Sequence, residues 1–329
     1  MSSIREVAKL ARVSPATVSR VMNGTANVAP EKRERVLKAI AQTSFVPNEL
    51  ARSLYKKSSK TIGLIIPSIR NPFFTQFASV IDDVAKENGY RLFLCNVGDN
   101  LEEERAALQK MAASSVDGVI IASTHTEIQK DLDACLLPVI VVDSVFDTKN
   151  VNAYIYCDYY EGGRLAAQHL YEECGCRNIV CIRGPQHIYT AKARYEGYRD
   201  YCLEHGIREQ TVDCDYDFIR GMEMTRELLE TYPEVDGILA CDDIVAISTY
   251  KVLYNKQIRV PDQIQLVGFD DIAMSTLITP ELTTIQQPIE AMARAAAELL
   301  LEKKIPEKEG EQFVFPISLA VRETTKKKR

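Results

Sequence analysis

The chain has 329 residues, 46 % of them hydrophobic, and a formal net charge of −6. This length allows a large core in two or more domains, and no apolar run approaches the ~18 residues of a membrane span. Nine cysteines, an odd number without a framework, exclude a disulfide scaffold, and with no signal-peptide apolar region at the N-terminus the expectation is a cytoplasmic protein.

The first predicted element is an amphipathic helix in which Ile4, Val7, Ala8 and Ala11 fall at i, i+3, i+4 and i+7. Arg12 and Val13 make a short turn. Ser14 is then an N-cap, and Pro15 suits the first helical position, where its missing N–H costs nothing. Val18 and Val21 point this second helix back at the first, and Gly24 is a stop signal. Two helices joined by a tight turn, the second presenting its N-terminal end, have the geometry that enters a DNA major groove. The candidate DNA-contacting residues here are Ser14, Pro15, Ala16, Thr17, Ser19, Arg20 and Asn23. A third helix starts at Pro30. PNELARSL follows, with Pro47 and Asn48 as start signals for a helix too short to be stable alone.

Charge divides the chain at the same place. Residues 1–59 hold 11 Lys+Arg against 4 Asp+Glu, a net of +7, and the remainder holds 29 against 42, a net of −13. A basic head on an acidic body is the footprint of a protein that touches phosphate with one end only. The C-terminal KKKR is read as a solvated tail.

The body alternates strand and helix patterns. Strand-like runs lie at 61–67, 90–95, 117–122, 138–142, 178–183, 236–241 and 264–269, with helical patterns near 73–88, 101–113, 159–174, 190–205, 218–232 and 243–256. That alternation implies parallel sheets covered by helices on both faces, and the strands are too many for one sheet of ordinary size. The expected fold is α/β: two doubly wound subdomains behind a small all-α headpiece. Cys95, Cys135, Cys157, Cys181 and Cys241 lie in or beside apolar segments and read as small buried hydrophobes. Cys174-Gly-Cys176 near His169 lacks the partner pair that a tetrahedral metal site needs.

Ligands of open parallel sheets bind beyond the carboxyl ends of the strands. Asn71, Phe73 and Phe74 follow the first strand, Asp143 ends the fourth, and Arg194 opens a later helix. Phe218 sits in YDFIRG, Asp242 follows ILAC, Asp270 ends QLVGFD, and Gln287 ends TTIQQ. Carboxylates, amides and an arginine that grip vicinal hydroxyls, beside aromatic faces for the C–H side, are the chemistry of sugar recognition. An enzyme finds little support: there is no G-x-G-x-x-G, P-loop or H-E-x-x-H, and His125, His169, His187 and His205 suggest no nucleophilic triad. No cofactor or metal is expected.

The N-terminal segment is similar, nearly residue for residue, to the DNA-binding headpiece of lactose-repressor (LacI/GalR) family transcription regulators. TIGLIIPSIRNPFF, VPDQIQLVGFDDI, TTIQQP and FPISLAVRETT resemble later segments of that family, so the match covers essentially the whole chain. The resemblance implies a headpiece and hinge helix in residues 1–59 and an effector-binding, dimerising domain in 60–329. Its two subdomains would comprise about 60–157 with 288–318 and 160–286 with 320–329, with crossings near 157–160, 287–290 and 318–320. It further implies that Ala51 and Leu54 contact DNA, with Leu54 a wedge in the minor groove at the centre of a palindromic operator. Ala29 stands where the family often has a hydroxyl cap, which removes roughly 1 kcal/mol from helix three. No leucine heptad follows VRETT, so a homodimer is expected rather than a tetramer.

NPFF, the aspartate after PVIVV, GFDD and QQP most resemble the pocket of ribose binders. Two positions depart: Ser144 stands where ribose binders carry Arg, and Asp242 where they usually carry Asn. The implied function is a repressor of a sugar-utilisation operon released by a ribose-like pentose. The alternative within the family is a catabolite-control regulator whose corepressor is a phosphorylated carrier protein.

Overall fold

The structure is a computed structural model, and it describes residues 3–22, 28–43, 45, 58–148, 150–301 and 310–328. The chain forms two compact units, residues 1–59 and 60–329. In the first, α1 (Ile4–Ala11), α2 (Pro15–Met22) and α3 (Pro30–Thr43) enclose a core of Val7, Ala8, Ala11, Val18, Val21, Val36 and Ala39. The start of α1 is set by a capping box: Ser3 Oγ accepts from the Glu6 amide, and the Glu6 carboxylate accepts from the Ser3 amide at 2.8 Å. Arg12 ends α1 in the left-handed conformation at φ 55°.

The larger unit holds two six-stranded sheets. The first has β1 (Thr61–Ile66), β2 (Arg91–Asn96), β3 (Val119–Ile121), β4 (Val139–Val142), β5 (Ala153–Cys157) and β11 (Glu311–Phe315), in the order β11-β5-β4-β3-β1-β2. All its pairings are parallel, with Ile65 opposite Cys95 and Ile121. Helices α4 (Pro72–Glu87), α5 (Leu101–Ala113), α6 (Gln129–Ala134) and α11 (Ile289–Leu301) belong to this lobe. Ile62, Leu64 and Ile66 face one core and Ile65 faces the other, the period-two division of a sheet buried on both sides.

The second sheet has β6 (Ile179–Arg183), β7 (Thr211–Asp213), β8 (Gly237–Ala240), β9 (Gln265–Asp270), β10 (Thr283–Gln286) and β12 (Ser318–Ala320), in the order β12-β10-β9-β8-β6-β7. Only β12 is antiparallel, pairing Ser318 with Gln286. Its helices are α7 (Tyr159–Gln168), α8 (Tyr189–Glu204), α9 (Phe218–Thr231) and α10 (Asp243–Asn255). The chain passes between the sheets after β5, after β10 and after β11. The last passage ends before Ser318, slightly earlier than the sequence suggests.

Several elements lie outside the sequence pattern: β5, β7, β10, β11, β12, α6 and α11. The helix expected at 159–174 also does not stay α-helical. It widens to a π-turn over His169–Glu173, closed by the Cys174 amide on His169 O at 3.0 Å. Among the described residues no helix is long and apolar enough to cross a membrane, and no group of three His, Cys, Asp or Glu side chains could hold a metal ion.

Candidate functional site

In the headpiece, Ser14 Oγ accepts from the Thr17 amide at 3.2 Å and lies 3.0 Å from Thr17 Oγ1. That cap opens α2 and leaves Ser14, Pro15, Ala16 and Arg20 exposed, with Thr17 and Ser19 half-buried. Small residues at the start of the helix let it approach a base edge, and Arg20 supplies a long donor one turn further on. Asn23, Ala51 and Leu54 lie outside the described residues.

The second site is a cavity of about 240 Å³ in the larger unit, lined from both lobes. Asn71, Phe73, Phe74 and Asp143 reach it from the first lobe, and Arg194, Asp242 and Asp270 from the second. Asn71, Asp143, Asp242 and Asp270 sit at or just beyond the carboxyl ends of β1, β4, β8 and β9, with Phe73 and Phe74 in the first turn of α4; β1 and β8 flank the points where the strand orders reverse. Asn71 caps α4 by accepting from the Phe73 amide at 2.9 Å. Phe73 is buried against Phe77, while Phe74 packs edge-on to it with ring centroids 5.1 Å apart.

Arg194 is the hub of the second lobe. Its Nη1 donates to Cys241 O at 2.7 Å, its Nη2 donates to Asp270 Oδ1 at 3.0 Å, and the guanidinium lies 3.9 Å from the Phe269 ring centroid. What sets its position is the contact of α7 with α8. A Cβ at Gly163 would lie 2.0 Å from Arg194 O, and one at Gly197 would lie 2.0 Å from Tyr160 O, so only glycine lets these helices meet. Burial disfavours the Arg194 charge, but Asp270 and its neighbours more than offset this and hold the guanidinium protonated.

The carboxylates are unusually costly. Burial pushes Asp143 up to about 6, against a hydrogen bond from the Tyr159 hydroxyl, and pushes Asp242 up to about 7 with help from the Asp270 charge. Asp270 is also raised by burial, although Arg194 opposes the shift. Asp143 and Asp270 adopt φ of 60° and 117°, backbone conformations rare for residues with a side chain. Among the described residues, six buried side-chain polar atoms lack a hydrogen-bond partner. Four of them are Arg194 Nε, Tyr216 Oη, Asp242 Oδ2 and Gln287 Oε1. Such atoms cost free energy unless a ligand completes them.

Two expected residues are placed differently. Phe218 does not line the cavity: Asp217 caps α9 through the Ile219 and Arg220 amides, which puts Phe218 in the first turn and leaves it 41 % exposed. Tyr216, two residues earlier, takes the aromatic position in the lining. Gln287 is buried behind the cavity, where its Nε2 donates to Asp270 Oδ1 at 2.7 Å. It orients the carboxylate rather than lining the wall. Asp99, Asp215 and Asp217 join the lining without any sequence signal beyond their place after strands.

Residues 3–48 match the model for bacterial regulatory proteins of the lacI family, and residues 59–322 match that for periplasmic binding proteins and the sugar binding domain of LacI family. The chain belongs to the LacI family. It is 40 % identical over 328 residues to a ribose operon repressor from Halalkalibacterium halodurans, which covers 99 % of this chain and 98 % of that one. A LacI transcriptional regulator from Alkaliphilus metalliredigens, solved with D-xylulofuranose, is 36 % identical at a TM-score of 0.71, covering 81 % of this chain and 99 % of that one. The lac repressor dimer bound to operator and an anti-inducer superposes at a TM-score of 0.87 with 26 % identity, covering 99 % of each chain. As a LacI-family member, the chain combines a DNA-binding headpiece with a two-lobed receptor.

Proposed function

We propose that this protein is a sugar-responsive transcriptional repressor, acting as a homodimer on a palindromic operator and released when a pentose binds between the lobes. The observation that carries the reading is the set of unpartnered buried atoms on Arg194, Tyr216 and Asp242, three polar groups converging on one cavity from a single lobe. Donors and acceptors so mixed suit hydroxyls, which both donate and accept. The cavity lining holds six aspartates and one arginine, so it disfavours an anion and favours a neutral polyol. Phe73 and Phe74 supply apolar faces for the ring.

The names of the relatives agree with this class. One is a ribose operon repressor, and another was solved with a pentulose in furanose form. Within the lining, Asp143 accepts from Tyr159, Asp270 from Arg194, and Asp242 caps a helix through one oxygen, which are binding and positioning roles. Residues 1–59 would form the DNA-reading unit and 60–329 the receptor, with the three passages between sheets serving as its hinge. Closure would then reposition the first lobes of the dimer and, with them, the two attached headpieces. A thermal-shift screen of neutral sugars tests the reading: a pentose should raise the melting temperature of the full chain, and no response to any sugar would defeat it.

A further inference from the structure

Tyr216 lies in the loop after β7 and lines the cavity, and its hydroxyl is buried without a hydrogen-bond partner. The charges of Arg194 and Asp242 both act on that hydroxyl. Asp242 Oδ1 is occupied in capping α10, accepting from the Val245 amide at 2.7 Å, but Oδ2 has no partner. Arg194 spends Nη1 and Nη2 on Cys241 O and Asp270, and Nε is left over. The tyrosine ring is accommodated because residue 184 is glycine: a Cβ there would lie 2.8 Å from Tyr216 Oη.

We propose that the Tyr216 hydroxyl is a specificity-determining contact, forming with Asp242 Oδ2 and Arg194 Nε a three-point subsite that demands two adjacent hydroxyls on the sugar. This subsite presupposes the sugar-responsive function proposed above. One hydroxyl can donate to Asp242 and accept from Arg194, and its neighbour can pair with Tyr216, which can donate or accept. A phenylalanine would give the same apolar face without the third point. Because the hydroxyl has no partner in the ligand-free fold, its value lies in the complex alone. A sugar lacking either hydroxyl leaves a buried polar atom unsatisfied and is rejected.

The test is calorimetric titration of the full chain with D-ribose and D-xylulose, and then with the monodeoxy analogues of whichever binds more tightly. It compares wild type with Tyr216→Phe and Gly184→Ala. Tyr216→Phe should weaken the tighter pentose by about threefold or more, the worth of one net hydrogen bond, and this loss should vanish for one of the deoxy analogues. Gly184→Ala, which displaces the hydroxyl, should repeat that selectivity. The ligand-free Tyr216→Phe protein should melt no lower than wild type. A loss below about threefold, an equal loss for every deoxy analogue, or a lower ligand-free melting temperature overturns the proposal while leaving the sugar reading intact. Binding of neither pentose to wild type removes the sugar reading itself, and this subsite with it.

Discussion

Arg194 Nη2 donates to Asp270 Oδ1 at 3.0 Å, with the two side chains only 10 % and 5 % exposed. Arg194 comes from α8 and Asp270 from the end of β9, so the pair ties a helix to the strand end that faces the cleft. Breaking a buried pair from one side strands the other charge. Arg194→Ala should therefore destabilise the larger unit by about 3–5 kcal/mol and abolish the sugar response. Chemical denaturation alongside sugar titration checks both effects; a variant as stable as wild type would show that the pair is not what holds the strand end.

Asp242 gives the pH dependence its sign. Its folded pKa is raised to about 7, so the folded state holds the proton more tightly than the unfolded one. Stability associated with this group is therefore present at low pH and is lost as pH rises through the window from about 4 to 7. Asp242→Asn keeps a capping oxygen for the Val245 amide and removes the buried charge. The ligand-free variant should gain about 1–3 kcal/mol over wild type at pH 8 and little at pH 5. Melting curves at the two pH values decide this, and an equal change at both would exclude the charge as the cause.

The excess of aspartates in the lining also makes a prediction about ligand charge. D-ribose 5-phosphate should bind at least about 100-fold more weakly than the free pentose, because its phosphate would face carboxylates with one guanidinium already engaged. Competition calorimetry reads the ratio directly. Comparable affinities would mean that the carboxylates are neutralised in the complex.

In the headpiece, Arg20 is exposed on α2, and we propose that it reads guanine O6 and N7. Arg20→Ala should lose about 1–3 kcal/mol of discrimination at one symmetric G·C pair while changing non-specific binding little. Equal losses on operator and random DNA, measured by fluorescence anisotropy, would reduce Arg20 to a phosphate contact.

The parts of this architecture that were readable from sequence are those in which periodicity and capping agree. Val7, Ala8 and Ala11 share one helical face, and Ser14 precedes Pro15, so the helix-turn-helix follows from local rules. The cleft residues Asp143, Asp242 and Asp270 follow continuous apolar strands that stand out in the sequence. Phe218 misled because its placement depends on which aspartate caps α9: with Asp217 as the cap, the inward position falls to Tyr216. Strand β7 spans three partly exposed residues, Thr211–Asp213, and leaves too short a pattern to read. Gln287 was recognisable as a polar strand-end residue, but nothing local reveals that its amide is spent on Asp270.

If one equilibrium couples the cleft to DNA, the two ligands must act on each other by the same factor. The most direct measurement is operator affinity with and without saturating pentose, paired with pentose affinity with and without operator, in wild type and Arg194→Ala. Pentose should weaken operator binding by about 5–150-fold, operator should weaken pentose binding by the same factor, and Arg194→Ala should lose the effect. Operator affinity unchanged by any pentose, or an Arg194→Ala variant that responds like wild type, would contradict this coupling.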